Sequence, residues 1–154
     1  MFYTHSNLIS SLEYSYKVEV LNFNGPSLQS NSNERSACEP PQNFRSVFLR
    51  STSQTDIVVG WRQPLDDGGC TINNYQIAID DGANGAFTTA STTIGASTFR
   101  YTFNSGLTIG LRYRIKVTAE NDVGSVVGNV ITAVVADVPD TPTVAPDFDR
   151  TETN

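Results

Sequence analysis

The sequence has little of what catalysis needs. Its one histidine is His5, far from the best-patterned part of the chain. No Gly-x-Ser-x-Gly elbow, phosphate loop or dinucleotide fingerprint occurs. No motif that would assemble a nucleophile with its base, or a cluster of metal ligands, is present, so no enzyme and no cofactor are expected. The two cysteines, Cys38 and Cys70, are too few for a disulfide scaffold and lack zinc-site spacing. No window approaches eighteen apolar residues, which excludes a membrane-spanning helix. The first residues lack the basic and apolar pattern of a leader. No Asn-x-Ser/Thr acceptor occurs among the many asparagines, so a heavily glycosylated surface is not expected. Basic charge is also scarce. The net charge is −6. Between Pro41 and Pro139 seven bases face eight acids, and the acid excess lies in the flanks. A nucleic-acid role is excluded on that ground, since phosphate binding needs a strong basic field.

What the chain does have is alternation. From Leu111 to Ala119 every second residue is apolar or aromatic: Leu111, Tyr113, Ile115, Val117 and Ala119. Arg112, Arg114, Lys116 and Thr118 lie between them. A period of two predicts a strand with one buried face. The same stretch occurs earlier without a gap. Leu8, Leu12, Tyr14, Lys17, Val18, Asn22 and Gly25 match Leu107, Leu111, Tyr113, Lys116, Val117, Asn121 and Gly124. Such a repeat predicts tandem copies of one domain, one whole and one cut short.

A leucine six residues before a tyrosine that opens an alternating strand, followed by Asn-x-x-Gly, resembles a fibronectin type III repeat. The resemblance covers residues 8–139. It implies an all-β fold: a seven-stranded, immunoglobulin-like antiparallel sandwich, preceded by a partial repeat. It also implies that Tyr113 is a tyrosine corner, bonding back to nearby backbone. The family's usual proline two residues after the leucine is replaced by Ile109 and Ser10.

The expected organisation is a truncated repeat over 1–37, a linker over 38–41, a complete domain over 42–138, and a linker and disordered tail over 139–154. In the complete domain, strands are expected at 44–49, 56–61, 72–80, a short edge strand at 87–93, then 98–103, the corner strand, and one last strand within 126–135. Trp61, Tyr75, Leu107 and Tyr113 are expected in the core. A hairpin over 1–37 alone would leave its apolar face open, so it should fray, stick to the neighbouring domain or recruit another chain.

Four features could carry a site. The loops Gln63–Thr71 and Asn121–Ser125 should share one pole, which makes Asp66, Asp67, Asn121 and Asp122 candidate partner contacts. Asp66-Asp67-Gly68 and Asp80-Asp81-Gly82 read as turns rather than calcium ligands, because neither has the spacing of a calcium loop. Arg112, Arg114 and Lys116 form a basic stripe, read first as a solvated face with cross-strand partners and second as an acidic-ligand site. Cys38 leads into the first strand and the Cys70 loop should sit at the same pole. Two separate thiols is the simpler reading, and a bridge locking the hinge is the alternative.

The function expected is a non-catalytic interaction, adhesion or spacer module of a tandem-repeat protein. Its partners would be other proteins and neighbouring repeats, with no nucleic acid and no membrane segment. Two alternatives stay open: an accessory domain of a receptor-type or multidomain enzyme, and an intracellular cytoskeletal or sarcomere-like array.

Overall fold

The alternating segments of the second copy become strands, while the alternating stretch of the first copy is a strand only over Glu13–Tyr16. The computed structural model describes residues 2–136 and Val144. But for that residue, the expected tail over 139–154 lies outside the described residues. In chain order the strands are β1 (Glu13–Tyr16), β2 (Leu21–Asn22), β3 (Gly25–Pro26), β4 (Asn33–Ser36), β5 (Val47–Thr52) and β6 (Ile57–Trp61). Then come β7 (Asn74–Ile79), β8 (Thr88–Gly95), β9 (Arg100–Phe103), β10 (Arg112–Glu120), β11 (Ser125–Val127) and β12 (Ile131–Val134). From β5 onward they form a β-sandwich. One sheet runs β5-β6-β9; the other runs β11-β10-β7-β8, with β12 also paired to β10. Every pairing is antiparallel. Counted as one interrupted strand, β11 and β12 complete a set of seven.

The period of two decides which side chains fill the sandwich. On β10, Tyr113, Ile115, Val117 and Ala119 are buried. On β6, Ile57, Val59 and Trp61 point inward, as do Tyr75 and Ile77 on β7. Tyr75 is the hub of an aromatic cluster. Its ring centroid lies 5.5 Å from Trp61, 5.9 Å from Phe99 and 6.0 Å from Phe44. Rings in such tilted contact bury large apolar area and dominate core energetics. Burial pushes the Tyr75 phenol up to about 12. Leu107 packs half-buried against this core.

Three local features differ from the alternation. β8 is the edge strand expected there, but it spans eight residues and ends two residues later. Two register shifts against β7 let it carry extra residues. The expected first strand begins later, at Val47, although Phe44 is already buried. The last strand is broken by Gly128 and Asn129. Asn129 turns its amide to β5: Oδ1 accepts from Val47 N at 3.0 Å, and Nδ2 donates to Val47 O at 2.8 Å. The amide thus copies a peptide group and ties one sheet to the other.

Residues 2–37 repeat the geometry of the corner. Thr108 N donates to Tyr113 Oη at 2.9 Å, and Ile9 N donates to Tyr14 Oη at 2.8 Å. Each turn needs a left-handed residue: Gly110 at φ 85° and Ser11 at φ 66°. β1 then pairs with β4 as β10 pairs with β12. Little covers the first hairpin. Val18 and Val20 are both 67% exposed, and His5 stands edge-on to Tyr14 and Tyr16. Yet the segment does not stand alone, because the Ser11 backbone lies against Gly69.

Trp61→Ala is expected to cost about 3–5 kcal/mol by large-aromatic deletion, and Tyr113→Phe about 1–2 kcal/mol by loss of a bonded hydroxyl. Urea denaturation of both variants checks this. A neutral Trp61→Ala would contradict the core described here.

Candidate functional site

Polar groups converge at the pole formed by the loop after β6 and the turn between β10 and β11. Two glycines shape the first loop. Gly68 and Gly69 adopt φ 73° and 79°, a region that suits glycine. Asp66 Oδ1 accepts from Gly68 N and Asp67 Oδ1 from Gly69 N, both at 2.9 Å. These carboxylates are therefore turn-makers. A Cβ on Gly68 would run into the Glu39 carbonyl, so glycine lets the incoming chain approach. Glu39 N donates to Gly68 O at 2.8 Å, and Gln42 N to Asp66 O at 2.9 Å.

Asn121 closes the pole. It is 4% exposed, and its Nδ2 donates to Glu39 O at 2.7 Å and to Asp67 O at 2.8 Å. Its Oδ1 accepts from Val123 N and Gly124 N. All four bonding positions of the amide are used. Asn22 makes the matching turn in the first hairpin, accepting from Asn24 N at 2.8 Å. Pro40 packs on Gly124, and Asn73 Nδ2 donates to Asp122 Oδ1 at 2.6 Å. Cys38 and Cys70 are joined by a disulfide, with Cα atoms 5.5 Å apart. Separate thiols do not describe this pair, because Glu39 is held on Gly68 and so brings Cys38 over the loop.

Of the four candidate contacts, Asp66 and Asp67 stay exposed and line a cleft of about 630 Å³ with Gln63, Thr71 and Ser97. Asp122 is exposed but bonded to Asn73. Asn121 corrects the expectation. It faces the linker and the neighbouring loop, so it is a joint and not a partner contact.

The basic stripe divides in the same way. Asp80 is buried at the end of β7. Its Oδ2 accepts from Arg114 Nε at 2.7 Å, and its Oδ1 from Arg114 N at 2.8 Å and Gly82 N at 3.2 Å. Arg114 also donates to Gly85 O, and both Arg114 and Lys116 lie over the Phe87 ring. Burial alone would raise the Asp80 pKa. The bonds from the Arg114 side chain and from the two backbone N–H groups outweigh it and hold the carboxyl below its usual range. Asp81 is also held low, by the N–H groups of Ala83 and Gly85. Arg112 is the exposed member of the stripe. Sequence reading missed the Asp80 pair, since Asp80-Asp81-Gly82 looks like turn chemistry throughout. The available signal was Asp80 closing an apolar strand that would pair with the stripe.

A family model for the fibronectin type III domain matches residues 39–131. Mouse fibronectin type-III domain-containing protein 3A is 31% identical over 124 residues, covering 79% of this chain and 10% of that protein. The human counterpart is 32% identical over 85 residues, covering 54% and 7%. The chain thus spans a tenth or less of the length of these curated relatives. Among solved structures, a three-domain crystal structure from titin aligns with TM-score 0.60 and 22% identity, covering 75% of this chain and 38% of that one. The chicken CNTN1 FN1-FN3 domains align with TM-score 0.58 and 18% identity, covering 88% and 46%. At these identities the likeness is one of fold.

Asp80→Asn is expected to cost about 2 kcal/mol, discounted because Arg114 is 31% exposed. The sign follows from the lowered pKa. Folded Asp80 binds its proton less readily than unfolded Asp80, so its stabilisation is complete above the unfolded value. It is lost as pH falls through the folded value. Denaturation across the acid range should show a shallower loss in Asp80→Asn than in the parent chain. Parallel curves would contradict this role.

Proposed function

We propose, given that this chain belongs to the fibronectin type III domain family, that it is a non-catalytic spacer and protein-interaction module. On this reading residues 2–37 are the closing strands of a preceding repeat, and the complete domain holds that repeat at a fixed angle. The observation that carries the reading is the filled pole. Cys38–Cys70, the Glu39–Gly68 bond and the two donations from Asn121 all hold the linker to the domain. A free hinge would need none of them. Asn121 and Asp122, which in other arrangements could meet a partner, are here bonded within the chain. Partners would then meet the sheet faces or the exposed cleft beside Asp66 and Asp67.

The disulfide adds a preference about setting. Such bonds persist in oxidising compartments and are rare in reducing ones. It therefore supports an extracellular or lumenal spacer over an intracellular array.

A Cys38→Ser/Cys70→Ser variant tests the reading. The bridge spans a sequence separation of 32, so its loss should cost about 3–4 kcal/mol by loop-closure entropy. Residual dipolar couplings should show one common alignment for β1–β4 and β5–β12 in the oxidised chain. They should show two alignments in the variant. Independent tumbling of the two parts in the oxidised chain would remove the fixed-spacer reading.

A further inference from the structure

The outer face of the β5-β6-β9 sheet collects the arginines that the stripe on β10 does not account for. Phe48, Gly60 and Arg100 stand in one row, since Phe48 pairs with Gly60 and Gly60 with Arg100. Gly60 forms the floor. A Cβ there would lie 2.5 Å from Arg50 Nε and 2.8 Å from the Phe48 ring, so both side chains fold over the glycine. Arg50 is the extra residue of the β5 bulge, and its guanidinium carbon is 5.5 Å from the Phe48 ring centroid. Towards the pole, Arg45 and Arg62 flank Phe48 around a hollow of about 380 Å³. Arg45, Arg50, Arg62 and Arg100 are all exposed. Among the described residues none has a carboxylate partner, since the one ion pair there is Arg114–Asp80, on the other sheet. Asp56, at the β5–β6 turn, is held by the hydroxyls of Ser53 and Thr55.

Four exposed guanidiniums around an exposed aromatic ring, on a chain of net charge −6, amount to a local reversal of charge. We propose that this face binds a short acidic segment of a partner protein. Guanidinium forks match carboxylates in pairs, and Phe48, at 38% exposure, offers apolar contact to the stems of such side chains. A long sulfated polymer is the poorer fit. It would run past four arginines onto an acidic chain, whereas a short segment stays within the positive field. The inference rests on the spacer and interaction reading, and adds the surface and the chemistry of its partner.

The test titrates the oxidised full chain with a decapeptide of alternating Glu and Gly, and separately with a sulfated oligosaccharide. Backbone amide chemical shifts report the position. The peptide should move the amides of Phe48, Gly60, Arg62 and Arg100. Arg62→Ala/Arg100→Ala should weaken its binding about tenfold, as expected for losing two exposed charge pairs, with an unchanged melting profile. Arg112→Ala, on the opposite sheet, should bind as the parent does. Shifts centred on Arg112, unchanged binding by the double variant, or binding of the oligosaccharide but not the peptide would each overturn the proposal. No binding at all would also overturn it and leave the spacer reading standing, because that reading depends on the common alignment of β1–β4 and β5–β12.

Discussion

One side-chain amide holds the pole of this domain together. Asn121 sits on the turn leaving β10, reaches the linker at Glu39 and the neighbouring loop at Asp67, and closes its own turn with the remaining oxygen. A buried amide left with a missing partner carries the full desolvation penalty of that group. Each of its bonds therefore depends on the others being in place. The Glu39–Gly68 hydrogen bond, the Pro40 contact on Gly124 and the disulfide at Cys38 all fall within the region it organises. The path of the chain into the domain is set by these contacts.

Beneath the pole, the sandwich is ordinary period-two physics with two polar repairs. Asn129 supplies β5 with a substitute peptide group where the last strand breaks. Asp80 sits in the protein with three donors aimed at it. Buried charge of this kind is tolerated when its lone pairs are filled. Here it also fixes Arg114 across Phe87, and that pairs the charge of one member of the basic stripe. The free positive charge of the domain then lies mainly on the opposite sheet, around Gly60.

Much of this was legible in the chain itself. Tyr113, Ile115 and Val117 show their buried face by alternation alone, and the match of Tyr14 to Tyr113 carries over to the bond each hydroxyl accepts. Trp61 and Tyr75 follow from the same period. The site was harder to read because its contacts are long-range. Asn121 looks like any Asn-x-x-Gly turn until Glu39 and Asp67 are brought beside it, 82 and 54 residues away in sequence. Cys38 and Cys70 have a spacing compatible with many arrangements. Arg45, Arg50, Arg62 and Arg100 are scattered in sequence, and only the pairing of β5, β6 and β9 gathers them. The two bulges of β8 escaped for a different reason: they depend on the register against β7.

If the pole is one cooperative joint, its amides must open together. Native-state hydrogen exchange measures this directly at Glu39 N–H, bonded to Gly68 O, and at Gly124 N–H, bonded to Asn121 Oδ1. The two should share one opening free energy in the parent chain. Both should lose protection in Asn121→Ala, while core amides of β10 such as Val117 keep theirs. Fast exchange of Glu39 in the parent chain beside a protected Gly124 would contradict the account. The linker would then be resting on the domain rather than built into it.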